Sequence, residues 1–228
     1  MRPSALATDY DGTLATHGKV DEQTLSSLKT FVASGRQLLL ITGRELPDLK
    51  QVFPHLSFFT RVVAENGALL YRPATGEEQL LCEPASPALA ENLLSDGIPV
   101  SVGRAIVATT EPHLDAVRKA IRESGLDLHI SLNKGSVMVL PHGVNKATGL
   151  RHALTELGLD SSSVVGIGDA ENDFDFLSAC GCAVAVANAL PSLKSSAHLV
   201  TSGTHGAGVA EIIGQMLAGN LLIPADRG

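Results

Sequence analysis

The chain has 228 residues, room for one medium domain or for a core domain carrying a smaller insert. Hydrophobic residues make up 44% and charged residues 18%, which excludes a disordered chain. The formal net charge is −7 with no Lys/Arg run, which excludes the basic stripes on which nucleic-acid binding rests.

Taken in order, short apolar runs alternate with helical patterns, the mark of βαβ units and a parallel sheet. Residues 5–8 read as a first strand ending at Asp9. Asp21 suits a helix cap, Leu25, Leu28, Phe31 and Val32 follow at helical spacing, and Gly35 is the stop. Residues 37–42 form a second strand, apolar almost throughout, as a strand covered on both faces should be. Residues 61–64 give a third.

From about Tyr71 the order changes to strand, helix, two strands, helix, two strands, with tight turns at Gly103 and Asn133-Lys134-Gly135. Tight turns imply an antiparallel sheet with helices on one face. The βα pattern resumes with a helix over residues 146–157, strands at 164–168, 183–186 and 199–200, and a last helix over about 208–217. Residues 220–228 read as a loose tail. The expected fold class is α/β: a doubly wound, mostly parallel Rossmann-like sheet over residues 1–71 and 142–228, with an α+β insert at 72–141.

The three cysteines, Cys82, Cys180 and Cys182, have no metal-like spacing and read as buried thiols. The N-terminus lacks the pattern of a signal peptide and no apolar stretch is long enough to span a bilayer, so no membrane partner and a cytoplasmic location are expected.

Chemistry concentrates at strand ends. Asp9-Tyr10-Asp11-Gly12-Thr13-Leu14 follows the first strand, and carboxylates two apart point the same way if the strand continues. Such a pair repels unless a cation relieves it, and a hard ion such as Mg²⁺ takes oxygen ligands. The competing reading is a solvated Asp-Gly turn. Gly168-Asp169-Ala170-Glu171-Asn172-Asp173 follows another apolar strand, and Asp169 and Asp173, four apart, share a face if a helix begins there; the competing reading is an acid-capped helix start. Ile41-Thr42-Gly43-Arg44 offers a hydroxyl and amides as a cradle for a phosphate oxygen, or simply a strand-to-helix turn. Lys146 opens a helix, where its charge opposes the dipole; a lysine that holds a phosphoryl group and offsets the carboxylates explains it, and the competing reading is a surface lysine.

These four segments, in this order, resemble the haloacid dehalogenase superfamily of phosphohydrolases. The position of the insert, with Glu65-Asn66-Gly67-Ala68 and Val186-Ala187-Asn188-Ala189-Leu190-Pro191, resembles its Cof-type subfamily with a C2 cap. The resemblance implies Asp9 as nucleophile, forming an aspartyl-phosphate, and Asp11 as the acid and then base. It implies Mg²⁺ held by Asp9, the Asp11 carbonyl, Asp169 and Asp173, with Thr42, Lys146 and Asn172 on the phosphate oxygens. Gly43, Arg44 and Asn66 are candidate substrate contacts. The insert would act as a cap whose hairpin tips choose a small phosphate ester. Arg104 and Lys134 at those tips either meet a second anionic group or are solvated turn residues. The expected activity is hydrolysis of a sugar phosphate or a phosphoglycolate-like ester. A phosphosugar mutase using the same nucleophile, or a phospho-accepting switch domain, are the alternatives.

Overall fold

The computed structural model describes residues 2–85 and 87–223. In chain order the main elements are β1 (Ala5–Thr8), α1 (Glu22–Ala33), β2 (Gln37–Ile41), α2 (Leu46–Val52), β3 (Arg61–Ala64), β4 (Leu69–Arg72), β5 (Glu77–Leu80), α3 (Pro87–Ser95), β6 (Ser101–Val102) and β7 (Val107–Thr110). They continue with α4 (Leu114–Ser124), β8 (Leu128–Asn133), β9 (Ser136–Pro141), α5 (Lys146–Leu157), β10 (Val164–Gly168), α6 (Phe174–Ser178), β11 (Cys182–Ala185), α7 (Pro191–Ser196), β12 (Leu199–Val200) and α8 (His205–Ala218).

Among the described residues these strands form two sheets. The large one has the order β12-β11-β10-β1-β2-β3-β4-β5, parallel from β12 to β3 and antiparallel over β4 and β5. β1 and β10 lie at its centre, all their residues buried. They are apolar apart from Thr8 and small glycines, because helices cover both faces of a parallel sheet. The small sheet has the order β6-β7-β9-β8 and is antiparallel.

Period-two alternation gives the small sheet two apolar faces. Val137 and Val139 pack with Leu89, Leu93 and Val117 of the helices α3 and α4. Met138 and Leu140 turn the other way and meet Ile106 and Ala68 beside β4. The second face thus lies over the large sheet's carboxyl ends.

Three differences from the sequence reading have physical causes. The large sheet runs on to Leu80, past residue 71 where the first core segment was expected to end; its edge strand β5 is Glu-Glu-Gln-Leu, exposed throughout, and so lacks an apolar signal. The tail expected over residues 220–228 is not loose where it is described, since Leu221 and Ile223 are buried in the main core; residues 224–228 lie outside the described residues. The last helix starts at His205, three residues before Gly208. Cys180 and Cys182 are buried and Cys82 is partly so, all as free thiols. No helix of the described residues is long and apolar enough to cross a membrane.

Candidate active site

β1 ends at Thr8, and the chain turns at Gly12, whose φ of +86° suits glycine. Asp9 leaves the central strand at that turn, and Asp169 leaves the neighbouring strand β10. Asp173 sits at the end of a short 3-10 turn, where its Oδ2 accepts from the amides of Asp169 (2.8 Å) and Ala170 (3.0 Å). Asp173 is therefore fixed by bonding back to the strand end, rather than by sharing a helix face with Asp169. Ala170 has φ −128°, an extended backbone free of strain.

Lys146 is the first residue of α5, behind an Asn145–Thr148 capping box. Gly67, with φ +107°, brings the Glu65-Asn66-Gly67 turn so close to this helix start that a Cβ there would lie 1.9 Å from the Asn145 carbonyl oxygen. The fit sets where Lys146 points. Its ammonium donates to Asp9 Oδ1 and Asp173 Oδ1, each at 2.6 Å, and all three side chains are buried.

Oxygens of Asp9, Asp169 and Asp173 lie within 4.8 Å of one another. Burial, opposed by Lys146, pushes the Asp9 carboxyl from 3.8 up to about 8. Burial also raises Asp169, against the pull of Lys134. Burial pulls Lys146 down, but Asp173 and Asp9 outweigh it and hold the ammonium above its usual range. Three buried acids against Lys146 and one partly exposed lysine leave a deficit of positive charge. An all-oxygen donor set of this kind fits a hard divalent cation such as Mg²⁺.

Of these acids, Asp9 reaches the floor of a cleft of about 490 Å³ between the two sheets, lined also by Asp11, Thr42, Arg44, Lys134 and Met138. The other expected site residues are placed as follows. The carboxylate of Asp11 is outside the acid cluster, gripped by Arg44 Nε at 2.5 Å and Nη2 at 2.8 Å. Arg44 also pairs with Asp48 and lies 5.5 Å from the centre of the Tyr10 ring. Thr42 is buried in the cleft wall, but its hydroxyl oxygen accepts the Arg44 amide at 3.1 Å, removing that amide from the expected cradle. Gly43 lines the same wall, where a Cβ would stand 3.3 Å from Met138 Sδ.

Asn66 and Asn172 are joined to each other at 3.1 Å and line a neighbouring cleft instead. Asn66 Nδ2 donates to Ser131 Oγ of the small sheet at 2.9 Å. Arg104 is exposed and pairs with Glu78. Lys134, by contrast, crosses from the β8–β9 tip to Asp169 Oδ2.

A family model for haloacid dehalogenase-like hydrolases matches residues 6–98 and 99–213. The chain belongs to this family. It is similar to a phosphoglycolate phosphatase of Methanothermobacter thermautotrophicus, 30% identical over 217 residues that span 92% of this chain and 96% of the relative. It is equally similar to phosphoglycolate phosphatase 2 of Saccharolobus solfataricus, 30% identical over 224 residues, 94% of this chain and 93% of the relative. Among solved structures, a haloacid dehalogenase-like hydrolase from Bacteroides thetaiotaomicron superposes with a TM-score of 0.80 at 19% identity, covering 94% of this chain and 100% of that one. The family and fold class read from the motifs are thus correct, and the chain is an enzyme of this family's phosphatase kind.

Three residues of this site carry no role in the sequence reading, although motifs quoted there contain them. Thr13 is buried and donates to Asp169 Oδ1 at 2.9 Å, orienting that carboxylate. Asn188 donates to the Gly12 carbonyl at 2.7 Å and accepts from the His205 amide, tying the Gly12 turn to α8. Glu65 is fully buried and accepts the amides of Arg104, Ala105 and Ile106 at 2.9, 2.8 and 3.3 Å, fastening the β6–β7 loop to the large sheet.

Proposed function

We propose that the protein is a Mg²⁺-dependent phosphatase that hydrolyses a small phosphate ester, phosphoglycolate or a sugar phosphate, through an aspartyl-phosphate on Asp9. One observation carries this reading: a buried Asp9 at the floor of an open cleft, held at 2.6 Å by a buried lysine and flanked by two further buried acids. A structural ion pair needs neither the cleft nor the surplus of acids.

Asp9, Asp169 and Asp173 would hold the cation, with the Asp11 carbonyl. When bound, it supplies the positive charge that keeps Asp9 ionised and offsets charge on the transferring phosphoryl group. Asp9 attacks phosphorus in line, an Asp9–O–P bond forms and the bond to the leaving oxygen breaks. Asp11 gives that oxygen a proton. Both Asp11 oxygens are occupied by Arg44, so the carboxyl must shed this partner before it hands the proton over. In the second half, Asp11 takes a proton from the water that attacks phosphorus, and Asp9 is released. The Lys146 ammonium and the Thr42 hydroxyl hold phosphate oxygens throughout. The small sheet, its Met138 face over the cleft, limits water at the first step.

The relatives named as phosphoglycolate phosphatases support a short phosphorylated carboxylate as the substrate class. The test is phosphate release from phosphoglycolate and a panel of sugar phosphates, with Mg²⁺ and with a chelator. Release that needs the metal and ranks phosphoglycolate first is the expected result. Isomerised sugar phosphate without free phosphate would replace this reading with a mutase.

A further inference from the structure

The β8–β9 hairpin turns through Asn133-Lys134-Gly135-Ser136, and both tip residues have positive φ, +47° at Lys134 and +83° at Gly135. Such a turn favours Asn, Asp or Gly at its first tip position, and lysine there carries a backbone cost. Turn chemistry does not explain the lysine.

The destination of its ammonium does. Nζ passes over the Gly12 turn, where a Cβ would lie 2.3 Å from it, and ends on Asp169 Oδ2. The far end of the side chain is anchored while the side chain as a whole is half-exposed. Among the described residues, two cations line the cleft. Arg44 is held by Asp11 and Asp48, whereas the one ion-pair partner of Lys134 is Asp169. Asp169 is also one of the three acids that fit a divalent cation. A doubly charged ion there supplies the countercharge that Lys134 supplies now, and it repels an ammonium beside it. Lysine has a flexible four-carbon stem on which to withdraw. Withdrawn, it is the uncommitted cation of the cleft, on a turn that keeps it at the mouth.

We propose that Lys134 sets substrate specificity: with a divalent cation on Asp169, its ammonium pairs with a carboxylate on the leaving-group side of the phosphate ester. The assignment rests on the phosphatase reading above and deepens it.

Calorimetry tests it without turnover, in an Asp9→Asn background and at a Mg²⁺ concentration that a prior titration shows to saturate that background. Two ligands are compared, phosphoglycolate and ethyl phosphate, which carries the phosphoryl group without the carboxylate. The readout is the ratio of the two affinities. Lys134→Met and Lys134→Asn should each lower that ratio about tenfold, the scale of one charge-assisted pair. Asparagine suits the left-handed backbone of the tip, so a fall with methionine alone would mark a disturbed turn and overturn the assignment. A ratio unmoved in both variants, or no binding of phosphoglycolate at all, would overturn it too. Phosphate release by the wild type is measured separately. Its absence beside a lowered ratio removes the phosphatase reading and leaves the anion-recognition role of Lys134 standing.

Discussion

Replacing Lys146 with methionine keeps the length and apolar stem of the side chain and deletes its charge. Two carboxylates, Asp9 and Asp173, then lose a partner at 2.6 Å in a site sealed from water. Breaking a buried pair by removing one member costs about 3–5 kcal/mol, because the remaining charge is stranded. Against a total stability of roughly 5–15 kcal/mol this is a large fraction. At about 2–4 °C per kcal/mol for a chain of this size, the melting temperature should fall by about 10 °C. The deficit should depend on pH in a definite direction. Burial already holds Asp9 up to about 8, and losing the lysine raises it further, so above about pH 8 the folded wild type ionises Asp9 while the folded variant still has to hold a proton there. Urea unfolding of wild type and variant in chelator should therefore show the smaller gap near pH 6, where Asp9 is protonated in both folded proteins, and the larger one near pH 9.5, above the wild-type value of about 8. Millimolar Mg²⁺ should narrow the gap at the higher pH. A variant as stable as wild type at both pH values, or a gap that ignores pH and metal, would refute the reasoning.

In the metal-free wild type, Asp9 has a folded value near 8 against 3.8 unfolded, so its ionisation favours the unfolded chain. Its contribution is fully present below about 4 and is lost as pH rises towards 8; Asp9→Asn should flatten that loss in chelator, and an unchanged slope in unfolding free energy would count against it. Glu65→Gln keeps the shape of the buried acceptor but removes its charge, and the three amides of the β6–β7 loop should exchange hydrogen faster by a factor of roughly ten or more, reflecting about 1.5–3 kcal/mol for hydrogen bonds to a charged group. Unchanged protection at Arg104, Ala105 and Ile106 would mean that other contacts hold the loop.

The parts legible from sequence were those with short-range signals. Asp9 and Asp169 stand at the ends of apolar strands, Asp173 follows in the same acidic motif, and Lys146 opens a helix where a cation needs a reason; the fold brings these four together. The parts that were not legible depend on distant partners. Asp11 and Arg44 are 33 residues apart, and nothing local announces their two-pronged pair. Asn66 and Asn172 sit in motifs beside the site but turn into the neighbouring cleft, because they bond each other. Lys134 has the local look of a solvated turn residue, and only the packing of the small sheet over the large one carries it to Asp169. In the fold, the polar edge strand β5 was hidden because an exposed edge needs no apolar alternation.

The central claim is that Asp9 receives the phosphoryl group, and phosphate release by Asp9→Asn beside the wild type tests it most directly. Asparagine preserves the size of the side chain but is a poor nucleophile. Metal-dependent release by the wild type that falls to background in the variant, with the variant still folded by circular dichroism, is the result predicted. Release by the variant at the wild-type rate would contradict the assignment and move the nucleophile away from Asp9.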